Sequence, residues 1–201
     1  MDDLVDEVRV PRLVVVGINP SLWTAATGTH FAHPSNRFYR ALHRAGITTW
    51  ELDPRAGLSP MDREHLLRRG MAITNLVRRA TARASDLEVA ELRAGASTLE
   101  ERIAGWGPRV VAMAGIGVYR LAYGRARARL GPQPQSLAGA RLWVVPNPSG
   151  LNAHETVDSL AEWFREAATA AGIVAADRSA GAARPDDPAG PGRRGGTVGD
   201  D

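Results

Sequence analysis

Residues 13–21 read Leu-Val-Val-Val-Gly-Ile-Asn-Pro-Ser, and the way they fold decides the architecture. A short apolar, largely β-branched run from Leu13 to Val16 ends at Gly17, the pattern of a strand buried on both faces. Pro20 cannot extend that strand and biases Asn19 towards extended geometry, which places Asn19 just past the strand's carboxyl end. Open α/β sheets bind their ligands there.

Working outward, three further runs repeat the strand pattern: Met71 to Asn75, Val110 to Ala114 and Leu142 to Val145. Helical stretches separate them. One begins near Ser35 to Arg37 and closes at Gly46. Ser59 as N-cap, Pro60 at the first position and Arg68-Arg69-Gly70 at the end bound another. Asp86 caps a long helix reaching about Ala104, with Val89, Leu92, Ala96, Leu99 and Ile103 on one face. A short helix is expected over 118–123 and an amphipathic one over 155–171. The alternation predicts an α/β fold, a three-layer αβα sandwich with a four-stranded, mainly parallel central sheet. Asn19, Asn75, Gly115 and Asn147 then share the carboxyl edge and one crevice. Gly115-Ile116-Gly117 has no third glycine at dinucleotide-binding spacing, so close packing of helix on strand explains it better. The stretch from Arg125 to Arg129 reads as a solvated loop.

Composition narrows the chemistry. The 201 residues suffice for one domain with a core, and contain no apolar run long enough to span a membrane and no signal-peptide pattern. A cytoplasmic protein without membrane association is expected. Cysteine is absent, which excludes disulfides, a thiol nucleophile and a thiolate-held iron–sulfur cluster. All 25 Lys+Arg residues are Arg, so no lysine Schiff base can form. The net charge of +3 is unevenly spread, with acids gathered at the start and a basic middle suited to a phosphate-bearing partner. The boundaries expected are an acidic N-terminal extension over 1–9, a domain over 10–176 and a disordered Gly/Pro/Ala-rich tail over 177–201.

Two separate motifs carry a family resemblance. Gly17-Ile18-Asn19-Pro20, followed by Phe31-Ala32-His33-Pro34 and Asn36-Arg37-Phe38, resembles the first motif of the mismatch-specific uracil-DNA glycosylases, the group that includes the thymine-DNA glycosylases. Val145-Pro146-Asn147-Pro148-Ser149-Gly150-Leu151-Asn152 resembles their second. The resemblance implies the uracil-DNA glycosylase fold and a monofunctional DNA N-glycosylase that flips uracil from G·U mismatches, with ethenocytosine as a further substrate. Asn19 would place the attacking water, and Phe31 would stack on the flipped base. Backbone groups of Ile18 and the 28–32 loop would read the uracil edge, and Asn75 would hold the base. Asn147 stands where stronger relatives carry His, and Asn19 where they carry Asp, which predicts modest catalysis. Ser149, Gly150 and Asn152 belong to the DNA-binding loop, with Leu151 as the wedge filling the vacated stack.

This chain departs from the family pattern twice. Ser21 replaces the usual Gly; beside C5 of the base its side chain would crowd a thymine methyl. Ala153 occupies a position where some relatives have Arg, with His154 following, which leaves the choice of opposite base open. The resemblance implies no cofactor and no metal, a monomer, double-stranded DNA containing uracil or a mismatch as partner, and abasic-site repair enzymes downstream. Alternatives are a glycosylase for another deaminated base such as hypoxanthine or xanthine, and a non-catalytic lesion-binding protein of the same fold.

Overall fold

The computed structural model describes residues 2–175; the tail expected over 177–201 lies outside them. The strands are β1 (Leu13–Gly17), β2 (Met71–Asn75), β3 (Val110–Ala114), β4 (Gly131–Leu137) and β5 (Ala140–Val145). They form a single five-stranded sheet in the order β2-β1-β3-β5-β4. β1 pairs in parallel with β2 and β3, and β3 with β5, whereas β4 runs antiparallel at the edge.

The four-stranded expectation is therefore corrected to a mixed sheet of five strands. β4 was hidden because Gly131-Pro132-Gln133-Pro134-Gln135-Ser136-Leu137 has two prolines and no apolar alternation. Proline lacks the ladder N–H and is tolerated at an edge or a bulge, and the β4–β5 register shifts between Pro132 and Ser136. The two-residue turn joining them, Ala138-Gly139, has φ of 47° and 86°, the doubly positive geometry of a tight hairpin.

The helices are α1 (Leu22–Thr27), α2 (Phe38–Arg44), α3 (Pro60–Arg68), α4 (Val89–Trp106), α5 (Ile116–Tyr123) and α6 (Val157–Ala171). α1 is not among the helices expected from the sequence. Ser21 caps it by accepting from Thr24 N, and Gly28 closes it at φ 63°. The long helix starts at Val89 rather than at Asp86, because Asp86 instead accepts from Arg83 N in a short 3₁₀ turn.

Alternation along β1 divides the core. Leu13 and Val15 face Phe38, Leu42, Leu66 and Phe164 beneath α2, α3 and α6, while Val14 and Val16 face Leu92, Leu99, Ile103 and Tyr119 of α4 and α5. Fully burying a side chain such as Phe164 on one face or Ile103 on the other contributes roughly 1.5–3 kcal/mol, so both faces of the sheet are well anchored.

The acidic start is docked on the domain from its second residue. Leu4 is buried and exchanges both main-chain hydrogen bonds with Ile73, extending the sheet beyond β2. Asp3 accepts from Thr74 Oγ1 at 2.5 Å and pairs with Arg78 and Arg102.

Candidate active site

At the carboxyl edge the sheet opens into a cavity of about 590 Å³. Parallel register sets Gly17 beside Asn75 and Ala114 beside Val145, so the segments that follow these strands converge there. Ile18, Asn19, Ser21, Phe31, Asn75, Asn147, Ser149, Gly150, Leu151 and Asn152 all line it. Ile18 and Asn152, 134 positions apart in the sequence, share one wall only because the strands are parallel.

Asn19 is fixed by its own amide nitrogen. Nδ2 donates to Thr81 Oγ1 at 2.7 Å and to the Arg79 carbonyl at 3.0 Å. Thr81 is buried, and its hydroxyl hydrogen goes to the Arg83 carbonyl at 2.7 Å, so towards Asn19 it can only accept. Both amide hydrogens are thus engaged, and Oδ1 is the polar atom left to Asn19 for a guest. An acceptor of this kind holds a water through its hydrogen and leaves the water's lone pair available.

Gly17 makes room for the next two residues. A Cβ there would lie 2.5 Å from Asn75 Oδ1 and 3.1 Å from Phe31 Cζ, so glycine is required by close approach. Phe31 adopts φ 56°, a left-handed conformation that a bulky residue occupies at a cost of order 1–3 kcal/mol. Its ring packs on Phe38 with centroids 4.2 Å apart, and the buried Phe38 supports it from behind. Asn75 is buried; its Nδ2 lies 3.2 Å from His30 Nδ1, and its carbonyl accepts from Arg102 at 2.9 Å. Burial lowers the His30 pKa to about 4, which leaves the imidazole neutral at neutral pH.

The 147–152 loop is bonded to itself. Asn147 Oδ1 accepts from Ser149 N at 3.1 Å, and the Asn147 carbonyl accepts from Asn152 Nδ2 at 3.0 Å. The Asn147 amide nitrogen has no hydrogen-bond partner among the described residues and is the donor it can offer the cavity. Gly150 approaches Ser35 so closely that a Cβ would sit 2.5 Å from Ser35 Oγ. Leu151 projects from the tip with 90% of its surface exposed. Arg37 reaches across from the first motif to the carbonyls of Ser149, Asn152 and Glu155.

Two expected contributors are partly committed elsewhere. The Ser21 hydroxyl turns back into α1, accepting from Thr24 N and donating to Thr24 Oγ1 at 3.1 Å. The Ile18 carbonyl accepts from Val77 N at 2.9 Å, which leaves its side chain and N–H for the cavity. Sequence reasoning missed Thr81, which lies 62 residues from Asn19 and carries no local signal. It also passed over His30, which directly precedes Phe31 and touches Asn75, and the 82–85 segment that completes the rim. A second cavity of about 570 Å³ lies between residues 124–129 and β4; it gathers Arg125, Arg127 and Arg129, all exposed.

The sequence family described as the Uracil DNA glycosylase superfamily matches residues 6–171. Among solved structures, the solution NMR structure of a candidate uracil DNA glycosylase from Methanosarcina acetivorans is similar in fold. The similarity has a TM-score of 0.53 at 16% sequence identity and covers 82% of this chain and 94% of that one.

Proposed function

The chain belongs to the uracil DNA glycosylase superfamily, and from that premise we propose that it is a monofunctional DNA glycosylase of the mismatch-specific type, removing uracil opposite guanine and, secondarily, ethenocytosine. The observation that carries this reading is the convergence of both motifs on one cavity at the carboxyl edge of the sheet.

The reaction breaks the N-glycosidic bond. A water oxygen bonds to C1′, the bonding pair leaves with the base, and the water's proton is lost to solvent. The nucleotide must first leave the stack, at a cost of a few kcal/mol that is smaller in a mismatch. Phe31 stacks on the extruded base, an interaction worth roughly 1–3 kcal/mol. Asn19 Oδ1 holds the water; an amide orients but does not deprotonate, so the contribution is positional. The Asn147 amide nitrogen faces the charge gathering on the departing base, and Leu151 fills the gap in the duplex. The chain has no lysine, which argues against a lysine Schiff-base lyase step.

The experiment is alkali-revealed cleavage of labelled duplexes carrying G·U, A·U, G·T, G·ethenocytosine or G·hypoxanthine, alongside single-stranded uracil. Cleavage at uracil that needs alkali and collapses in Asn19→Ala supports the reading. Hypoxanthine as the preferred base would reassign the substrate, and binding to mismatched DNA without any excision would replace the enzyme with a lesion binder.

A further inference from the structure

We propose that His30 is a positioning residue that sets which end of the Asn75 amide faces the base, and that it thereby restricts the cavity to bases carrying an N–H at the edge Asn75 reads, as uracil does and cytosine does not. The inference rests on the glycosylase reading above.

The argument begins at the N-terminal segment. His30 Nε2 lies 3.2 Å from the Asp2 carbonyl oxygen. A carbonyl can only accept, so Nε2 carries the proton. His30 is buried and neutral, which leaves Nδ1 bare and able only to accept. The Asn75 amide lies 3.2 Å from that nitrogen and must present N–H to it. Oδ1 is thereby turned the other way, over Gly17 and beside Phe31, where it forms part of the cavity floor. The tautomer of one imidazole thus decides that the floor is an acceptor.

The surroundings hold this arrangement from several elements. Tyr39 of α2 donates to the His30 carbonyl at 2.9 Å, Asp3 in the N-terminal segment favours the charged ring, and Arg63 of α3 opposes it. Asp3 also accepts from Thr74 and pairs with Arg102, whose other nitrogen holds the Asn75 carbonyl. Main chain and side chain of Asn75 are therefore both secured through residues 2 and 3. A flipped uracil offers its N3–H to Oδ1. Cytosine would set its bare N3 against Oδ1, two acceptors facing in a buried site, which leaves both unsatisfied.

Two measurements on the whole chain test the proposal. Long-range ¹H–¹⁵N correlation at neutral pH reads which ring nitrogen is protonated, with the His30 signals identified by their loss in His30→Gln. A proton on Nε2 is expected; a proton on Nδ1 overturns the positioning. Single-turnover excision is then compared for uracil and cytosine opposite guanine, each also as its 5-fluoro derivative, which leaves more readily. His30→Gln, whose amide can accept from Asn75 and donate to Asp2, should keep the uracil-to-cytosine ratio within about threefold of wild type. His30→Leu, which offers no acceptor, should lower uracil excision and shrink that ratio by about tenfold or more. An unchanged ratio in His30→Leu, or equal loss on both bases in both variants, would mean that His30 only supports the fold and overturns the proposal. If His30→Leu does not fold, the wild-type tautomer together with His30→Gln decides. Wild-type protein that excises no base removes the glycosylase reading and the discrimination with it, an outcome distinct from an active enzyme with the wrong tautomer.

Discussion

The guanidinium of Arg37 holds the carbonyl of Asn152: Nη2 lies 2.7 Å from that oxygen and 2.5 Å from the carbonyl of Ser149. Arg37 sits at the start of α2, and its main-chain N–H donates to the Pro148 carbonyl at 3.0 Å. One residue of the first motif therefore secures the loop that carries Leu151. Arg37→Ala strips three half-buried residues' carbonyls of their donor and should cost about 3 kcal/mol of stability, read by urea unfolding. Arg37→Lys should recover only part of this, because an ammonium cannot reproduce the fork. Leu151→Ala, at an exposed tip, should change stability by less than about 0.5 kcal/mol while weakening binding to abasic DNA.

Thr81 touches Asn19 and takes the role of orienting it. Thr81→Val keeps the shape and removes the shortest of the contacts that hold Asn19 Nδ2, leaving the amide to the carbonyls of Arg79 and Pro20 alone. Single-turnover excision should fall by about tenfold, with DNA affinity unchanged. Thr81→Ser should restore most of the rate, a rescue that a packing role for the methyl would not give.

Ser21 lines the cavity while capping α1. Ser21→Gly should raise the rate on G·T relative to G·U. Glycine is itself a tolerable N-cap, so the cost in stability should stay at a few tenths of a kcal/mol. An unchanged G·T to G·U ratio, measured on matched duplexes, would show that the side chain does not sense the C5 substituent.

Acid should unfold the protein partly through His30. Its pKa is about 4 when folded and 6.5 as the ordinary value, so between these limits the unfolded chain binds the extra proton. The contribution is fully present above the unfolded value and is lost as pH falls from 6.5 towards 4, with a total on the order of 3 kcal/mol. Melting temperature followed across that window should drop in wild type and drop less in His30→Gln.

The parts legible in the sequence were those written locally. The run Leu13 to Val16, with Gly17 and Pro20, announces a buried strand and its end, and the four parallel strands follow the same grammar. Both motifs were visible as strings, and the parallel register brought them to one cavity. What escaped was written between distant residues. β4 is a strand by virtue of pairing with β5, against its own composition. α1 did carry a capping serine and a closing glycine, but six residues are too few to show a period. Thr81, Arg37 and His30 matter through hydrogen bonds to partners tens of residues away, which no spacing rule encodes.

The docking of residues 2–4 has a consequence for biosynthesis. Leu4 needs Ile73 and Asp3 needs Arg102, so this segment cannot dock until roughly half the chain has been made. A polypeptide fused directly ahead of it, or loss of its first four residues, should therefore disturb base selection before it disturbs the core.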